Sequence, residues 1–166
     1  MMLSSLTQKR ILRDMKTIKE NPEPGFYFEY VKSRIYEWYC IYEGSYDTAF
    51  YKGFYLIGIE LPPTYPFAPP TVNMLTPNGR LSIKTSLCFS YTNYHPELWI
   101  PVLNPFSVAF ALRTYTNDFS LTGIGSETTS EYIMKLFAKE SIKWSLDNKI
   151  VKELFPDVVE KLKLNK

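Results

Sequence analysis

The sequence predicts an α+β fold: an N-terminal helix, a four-stranded antiparallel meander, a long loop that contains a cysteine, and C-terminal helices. Apolar residues recur at helical spacing before residue 20. Short runs rich in aromatic and β-branched residues, separated by turn signals, follow between residues 25 and 75. Helix-capping patterns return after residue 104. One domain spanning residues 1–166 accommodates all of these elements.

The first helix is predicted to begin at the capping box Ser5–Gln8 and to end at Asn21-Pro22, because proline disfavours the helical conformation of the residue before it. Four apolar residues are expected to share one face of this helix: Ile11, Leu12, Met15 and Ile18. Four basic residues fall on the opposite face: Lys9, Arg10, Arg13 and Lys16. That basic face is either a solvated surface or a docking face for a protein partner.

The next region is predicted to form four short strands: Phe26–Tyr30, Ile35–Tyr42, Phe50–Leu61 and Thr71–Leu75. Gly53 and Gly58 inside the third run indicate a bulge or a close backbone approach. Cys40 lies within the second run, and we expect it to pack in the core as a small apolar residue.

The sequence between Thr76 and Asn104 shows no hydrophobic periodicity. An irregular stretch of this length in a compact domain is usually functional. Asn104 is predicted to cap the next helix, with Pro105 in its first position. A second capping box, Thr128–Glu131, opens another helix. The C-terminal helices are expected over about residues 105–116, 128–144, 147–155 and 156–164.

Composition excludes several classes of protein. A net charge of +2, without a basic run interleaved with aromatics, argues against nucleic acid binding. Two cysteines, Cys40 and Cys88, do not make a disulfide framework, so we expect a reducing compartment. No apolar run approaches the roughly 20 residues of a membrane span, and the polar N-terminus is unlike a signal peptide. These features predict a soluble, cytoplasmic monomer.

The order of these elements resembles the ubiquitin-conjugating enzymes. The motifs that carry the resemblance are Glu37-Trp38, Gly44, Tyr51–Gly53, the proline-rich Tyr65–Pro70, Leu87-Cys88 and Trp99–Pro101. Three further segments resemble the branch whose full-length members are tail-anchored in the endoplasmic reticulum and serve its protein-degradation pathway: Thr76–Arg80, Tyr94–Trp99 and Glu153–Pro156. The resemblance implies a location on the cytosolic face of the endoplasmic reticulum, if the full-length protein carries such an anchor.

The resemblance implies that Cys88 receives activated ubiquitin as a thioester, which a substrate nucleophile then attacks. The implied partners are ubiquitin, a ubiquitin-activating enzyme, a RING-type ubiquitin ligase and protein substrates. No metal and no cofactor are expected. ATP is used by the upstream activating enzyme and not by this chain. The alternative is a catalytically inactive ubiquitin-binding or adaptor module of the same fold. A cysteine protease would instead need a histidine paired with Cys88 and a residue that orients it.

Two further residues are candidates for catalysis. By resemblance, Asn78 stabilises the oxyanion, although most of the family has histidine where this chain has Thr76. Asn78-Gly79 is also a strong turn signal, so a structural role stays open. His95, the only histidine, either accepts a proton from the incoming nucleophile or braces the loop that ends at Trp99.

The chain departs from the family in the loop after the second predicted helix. Ordinary members carry an acidic residue there, whereas Leu121–Gly125 has none and Asp118 is the nearby acid. This departure puts efficient attack by lysine in doubt, and the resemblance implies that hydroxyl side chains are accepted too.

The resemblance also implies two contact surfaces. The ligase-binding residues are Phe67, Ile100 and Pro101, where an exposed aromatic beside proline makes an apolar anchor. The residues expected to bind the activating enzyme are Lys9, Arg10 and Arg13.

Overall fold

The computed structural model describes residues 1–164, so the last two residues of the predicted domain lie outside the described part. The elements in chain order are α1 (Ser5–Glu20), β1 (Phe26–Val31), β2 (Arg34–Glu43), β3 (Phe54–Glu60), β4 (Thr71–Met74), a 3₁₀ turn (Pro96–Leu98), α2 (Pro105–Asn117), α3 (Glu131–Asp147), α4 (Lys149–Leu154) and α5 (Pro156–Leu164). The strands form one antiparallel sheet in the order β1-β2-β3-β4. The predicted fold is confirmed.

Helix caps agree with the sequence to within two residues. The side chain of Ser4, and not Ser5, caps α1 by accepting a hydrogen bond from the backbone of Thr7. Ser130 caps α3, although the predicted capping box began at Thr128. The predicted start of α2 is confirmed, because Asn104 forms a reciprocal capping box with Ser107.

The third strand begins at Phe54, four residues later than predicted. The residues before it form a turn, and a Cβ on Gly53 would lie 2.2 Å from the hydroxyl of Tyr55. Gly53 lies before β3 and not inside it, and its close contact is with a side chain and not with another backbone segment. Gly58 pairs in regular register with both neighbouring strands, so a bulge there was a wrong prediction; the irregularity lies between Tyr30 and Val31.

The sheet is covered on both faces. One face packs against α1 and α2 and buries Trp38, and Cys40 is fully buried there as predicted. Burial raises the pKa of the Cys40 thiol well above its usual value, which keeps this sulfur protonated and unreactive. The other face carries Ile41, which packs among residues of α4 and α5. Within residues 1–164, no helix is both long and apolar enough to cross a membrane.

Helix α1 differs from the prediction on both faces. Leu12 is half-exposed, whereas Asp14 is buried. Arg10 turns inward: its guanidinium lies 2.8 Å from the Asp14 carboxylate and donates to the carbonyls of Pro101 at 2.6 Å and Leu103 at 2.9 Å. Arg10 therefore does not belong to the exposed basic face, and it ties α1 to the loop that follows the 3₁₀ turn.

Candidate functional site

The segment around Cys88 is irregular but anchored. The backbone N–H of Leu87 donates to the carbonyl of Val72 in β4 at 2.8 Å, and that of Cys88 donates to the carbonyl of Ile124 at 2.9 Å. Leu87 and Phe89 are buried on either side, whereas Cys88 is partly exposed. The anchors therefore hold the Cys88 thiol at the surface in a fixed place beside the sheet.

The only histidine lies at this thiol. The Sγ atom of Cys88 is 3.3 Å from Nε2 of His95. The other ring nitrogen, Nδ1, is 2.9 Å from the Oε1 atom of Glu97. The hydrogen bond with His95 lowers the pKa of Glu97, so this carboxyl is an anion at neutral pH. Thiol, imidazole and carboxylate thus form one continuous chain, an arrangement that can move a proton to or from the sulfur.

Sequence reasoning placed His95 near the cysteine but missed Glu97. The available signal was His95-Pro96-Glu97, because a proline after the histidine favours a tight turn that brings side chains two residues apart together. Both ring nitrogens of His95 face side chains, Cys88 on one side and Glu97 on the other. The geometry supports proton transfer better than a role limited to bracing the loop.

Asn78 is buried, and its side chain forms hydrogen bonds within its own turn. Its amide nitrogen donates to the carbonyls of Thr76 at 3.0 Å and Leu81 at 2.9 Å. Its Oδ1 accepts from the backbone of Arg80 at 2.8 Å and Leu81 at 2.7 Å. These four bonds support the structural alternative, and an oxyanion role, which stays a prediction, would require the amide to leave two carbonyl partners.

The acid-free loop lies directly against the cysteine. A Cβ on Gly123 would be 2.9 Å from the Cys88 carbonyl oxygen, and Ile124 accepts the Cys88 backbone N–H. The side chains of Leu121 and Ile124 are 43% and 55% exposed, and Thr122 is exposed as well, so the rim here carries no charge. The nearby acid, Asp118, accepts hydrogen bonds from the side chain and backbone of Ser120, which lower the pKa of its carboxyl.

The predicted ligase-binding residues share one exposed surface. Phe67 is 79% exposed and Ile100 is 54% exposed, and Pro101 is also exposed. The indole of Trp99 donates to the carbonyl of Pro66 at 2.7 Å, which holds the two loops together. On α1, Lys9 and Arg13 are exposed. Nowhere in the described 164 residues do three or more histidine, cysteine or acidic side chains cluster as a metal site would require.

Comparisons with known proteins show which family the chain is similar to. The family model described as "Ubiquitin-conjugating enzyme" matches residues 10–114. The mouse protein "Ubiquitin-conjugating enzyme E2 J2" is 35% identical over 93% of this chain and 60% of its own length. "Ubiquitin-conjugating enzyme E2 6" of Debaryomyces hansenii is 36% identical over 99% of this chain and 68% of its own length. The chain thus spans about three fifths of the mouse relative.

A solved structure supports the fold. The human structure titled "Ubiquitin-conjugating enzyme E2 G1" superposes with a TM-score of 0.61, covering 71% of this chain and 99% of that chain. Its sequence identity is 20%, so this likeness concerns the arrangement of helices and strands alone.

The role of Asn78 can be tested by comparing stability with chemistry. We expect Asn78→Ala to lower the free energy of unfolding by about 3 kcal/mol, because it leaves buried backbone groups without partners. Asn93→Ala, in the same irregular segment but exposed, should change it by less than about 0.5 kcal/mol. Urea denaturation measures both. An Asn78→Ala protein as stable as wild type that discharges ubiquitin slowly would instead assign Asn78 to the oxyanion.

Proposed function

Because the chain belongs to the ubiquitin-conjugating enzyme family, we propose that it accepts activated ubiquitin as a thioester on Cys88 and transfers it to side chains of protein substrates. The observation that carries this proposal is the partly exposed Cys88 thiol, 3.3 Å from the imidazole of His95. The inactive adaptor is disfavoured, since a binding module has no use for a thiol paired with a base. The family similarity also disfavours a protease, although the three side chains resemble a hydrolase triad.

Loading requires the sulfur to give up its proton. His95 Nε2 accepts it, and the thiolate attacks the activated C-terminal carbonyl of ubiquitin, which expels the activating enzyme's sulfur as a thiolate. The Nε2 proton then passes to that sulfur, which leaves the imidazole neutral. Cys40 does not compete, because it is fully buried and its pKa is raised.

Transfer is governed by the surroundings of Cys88. A lysine amine, with an ordinary pKa of about 10.4, must lose a proton before it attacks, and the adjoining loop Leu121–Gly125 has no carboxylate to attract and orient it. A hydroxyl acceptor carries no positive charge but needs a base as it attacks, and His95 lies at the sulfur. The site therefore suits serine and threonine acceptors as well as lysine.

The proposed partners follow from the exposed surfaces and the relatives. A RING-type ligase contacts Phe67, Ile100 and Pro101, and an activating enzyme contacts Lys9 and Arg13. A role in degradation at the endoplasmic reticulum is proposed from the resemblance of Thr76–Arg80, Tyr94–Trp99 and Glu153–Pro156 to that branch of the family.

The thioester is tested directly by incubation with ubiquitin, activating enzyme and ATP, followed by non-reducing electrophoresis. We expect an adduct that thiol reductant removes, and its absence in Cys88→Ala. Cys88→Ser should give a reductant-resistant oxyester. Cys40→Ala is the matched control and should load as wild type. A reducible adduct that survives in Cys88→Ala would refute the assignment of Cys88.

The choice of acceptor is tested by chasing the purified thioester with excess lysine, serine or threonine. We expect hydroxyl discharge that His95→Gln slows by roughly 10²-fold, because the general base is lost. Asn93→Gln, on the same loop, should leave it unchanged. Rapid discharge to lysine with no response to hydroxyl acceptors would place the chain with lysine-specific enzymes.

The two partner surfaces are tested against each other. We expect Phe67→Ala to reduce ligase-stimulated discharge about 10-fold, as for an aromatic anchor, and to spare loading. Lys9→Ala and Arg13→Ala should slow loading in a salt-dependent way, because exposed charges steer association, and should spare ligase stimulation. The measurements are the loading rate with purified activating enzyme and the discharge rate with purified ligase. An equal loss of loading and of ligase-stimulated discharge in any of these variants would contradict two separate surfaces.

A further inference from the structure

Glu97 lies behind the imidazole, in a position that selects which ring nitrogen carries hydrogen. We propose that Glu97 is a positioning residue that holds His95 with its hydrogen on Nδ1 and its free lone pair on Nε2, ready to take the proton of a hydroxyl acceptor. This inference rests on the proposed function of Cys88. Its geometric basis is the 2.9 Å separation between Nδ1 and the Glu97 carboxylate, with Nε2 3.3 Å from the sulfur.

The chemistry of the three groups fixes the direction of each bond. An ionised carboxylate only accepts hydrogen bonds, so the nitrogen that faces Glu97 must carry the hydrogen. A neutral imidazole has one such hydrogen, which leaves Nε2 as an acceptor facing Cys88. In the free enzyme the thiol can donate to Nε2. In the thioester the sulfur has no hydrogen, so the lone pair becomes available to an incoming hydroxyl.

The backbone holds the pair in place. The N–H of His95 donates to the carbonyl of Thr92 at 2.9 Å, and the carbonyl of His95 accepts from Leu98 at 3.0 Å. The neighbouring Tyr94 hydroxyl lies 3.0 Å from that of Ser86, which joins the histidine segment to the cysteine segment. Glu97 is exposed, so its bond contributes little to stability. What it contributes is the choice of tautomer.

The transfer step balances in protons and electrons within these groups. The acceptor oxygen attacks the thioester carbonyl, and its proton moves to Nε2. The new C–O bond forms, the C–S bond breaks, and the electron pair leaves on sulfur. The imidazolium then returns the Nε2 proton to Cys88, while the Nδ1 hydrogen stays shared with Glu97. Without a carboxylate at Nδ1, the ring can carry its hydrogen on Nε2, and it then donates where it must accept.

The experiment uses the single histidine of the chain. At about pH 8, the two-bond ¹H–¹⁵N NMR spectrum of the histidine-labelled protein should show hydrogen on Nδ1 in wild type. It should show hydrogen mainly on Nε2 in Glu97→Ala. The rate at which ubiquitin is transferred from the purified thioester to serine, expressed per molecule of ubiquitin-loaded enzyme, should fall about 10-fold in Glu97→Ala. The matched control is Glu160→Gln, which removes an exposed carboxylate paired with Lys163 on α5, and it should change neither readout.

Two conservative variants separate positioning from shape. Glu97→Asp keeps a carboxylate, which only accepts hydrogen bonds, whereas Glu97→Gln keeps the shape but carries an amide that can either accept from Nδ1 or donate to it. We expect serine discharge to be faster in Glu97→Asp than in Glu97→Gln. Wild-type rates in Glu97→Ala, or hydrogen on Nε2 in wild type, would overturn the inference. Absence of any Cys88 thioester would be a failure of the proposed function instead, and the tautomer measurement does not depend on it.

Discussion

The irregular segment between residues 76 and 104 must satisfy its backbone polar groups outside any regular element, and the site depends on how it does so. Leu87 bonds to β4, Asn93 bonds to Pro70, and Cys88 bonds to the loop that contains Ile124. A backbone N–H without a partner would cost free energy where it is buried, as at Leu87. These bonds tie the irregular segment to β4, to the proline-rich turn and to the loop that contains Ile124.

The two thiols of the chain differ in burial and in their neighbours. Cys40 sits in the middle of β2, fully buried, with its pKa raised by loss of solvent. Cys88 sits between two buried neighbours, partly exposed, with His95 at the sulfur and Glu97 beyond. The acid-free loop on its other side leaves the imidazole as the base beside the thiol. We propose that this arrangement, with a base on one side of the sulfur and no acid on the other, governs both loading and transfer.

Much of this was predictable from the sequence, and the failures have physical causes. Periodic patterns located the helices and strands, and the family motifs located Cys88 and His95. A helical wheel placed Arg10 with Lys9, but a long guanidinium reaches around the helix to a buried Asp14 and to two carbonyls. Glu97 was missed because its contact with His95 depends on a short turn, which no periodicity reports.

We propose that the acid-free rim beside Cys88 governs the choice of acceptor. The most direct measurement installs a carboxylate there by Ile124→Asp, since this side chain is exposed and only its backbone binds Cys88. Ile124→Asn is the matched control. The ratio of lysine to serine discharge from the purified thioester should rise several-fold in Ile124→Asp over Ile124→Asn, because a carboxylate attracts and orients the protonated amine. An equal ratio in the two variants would contradict the claim.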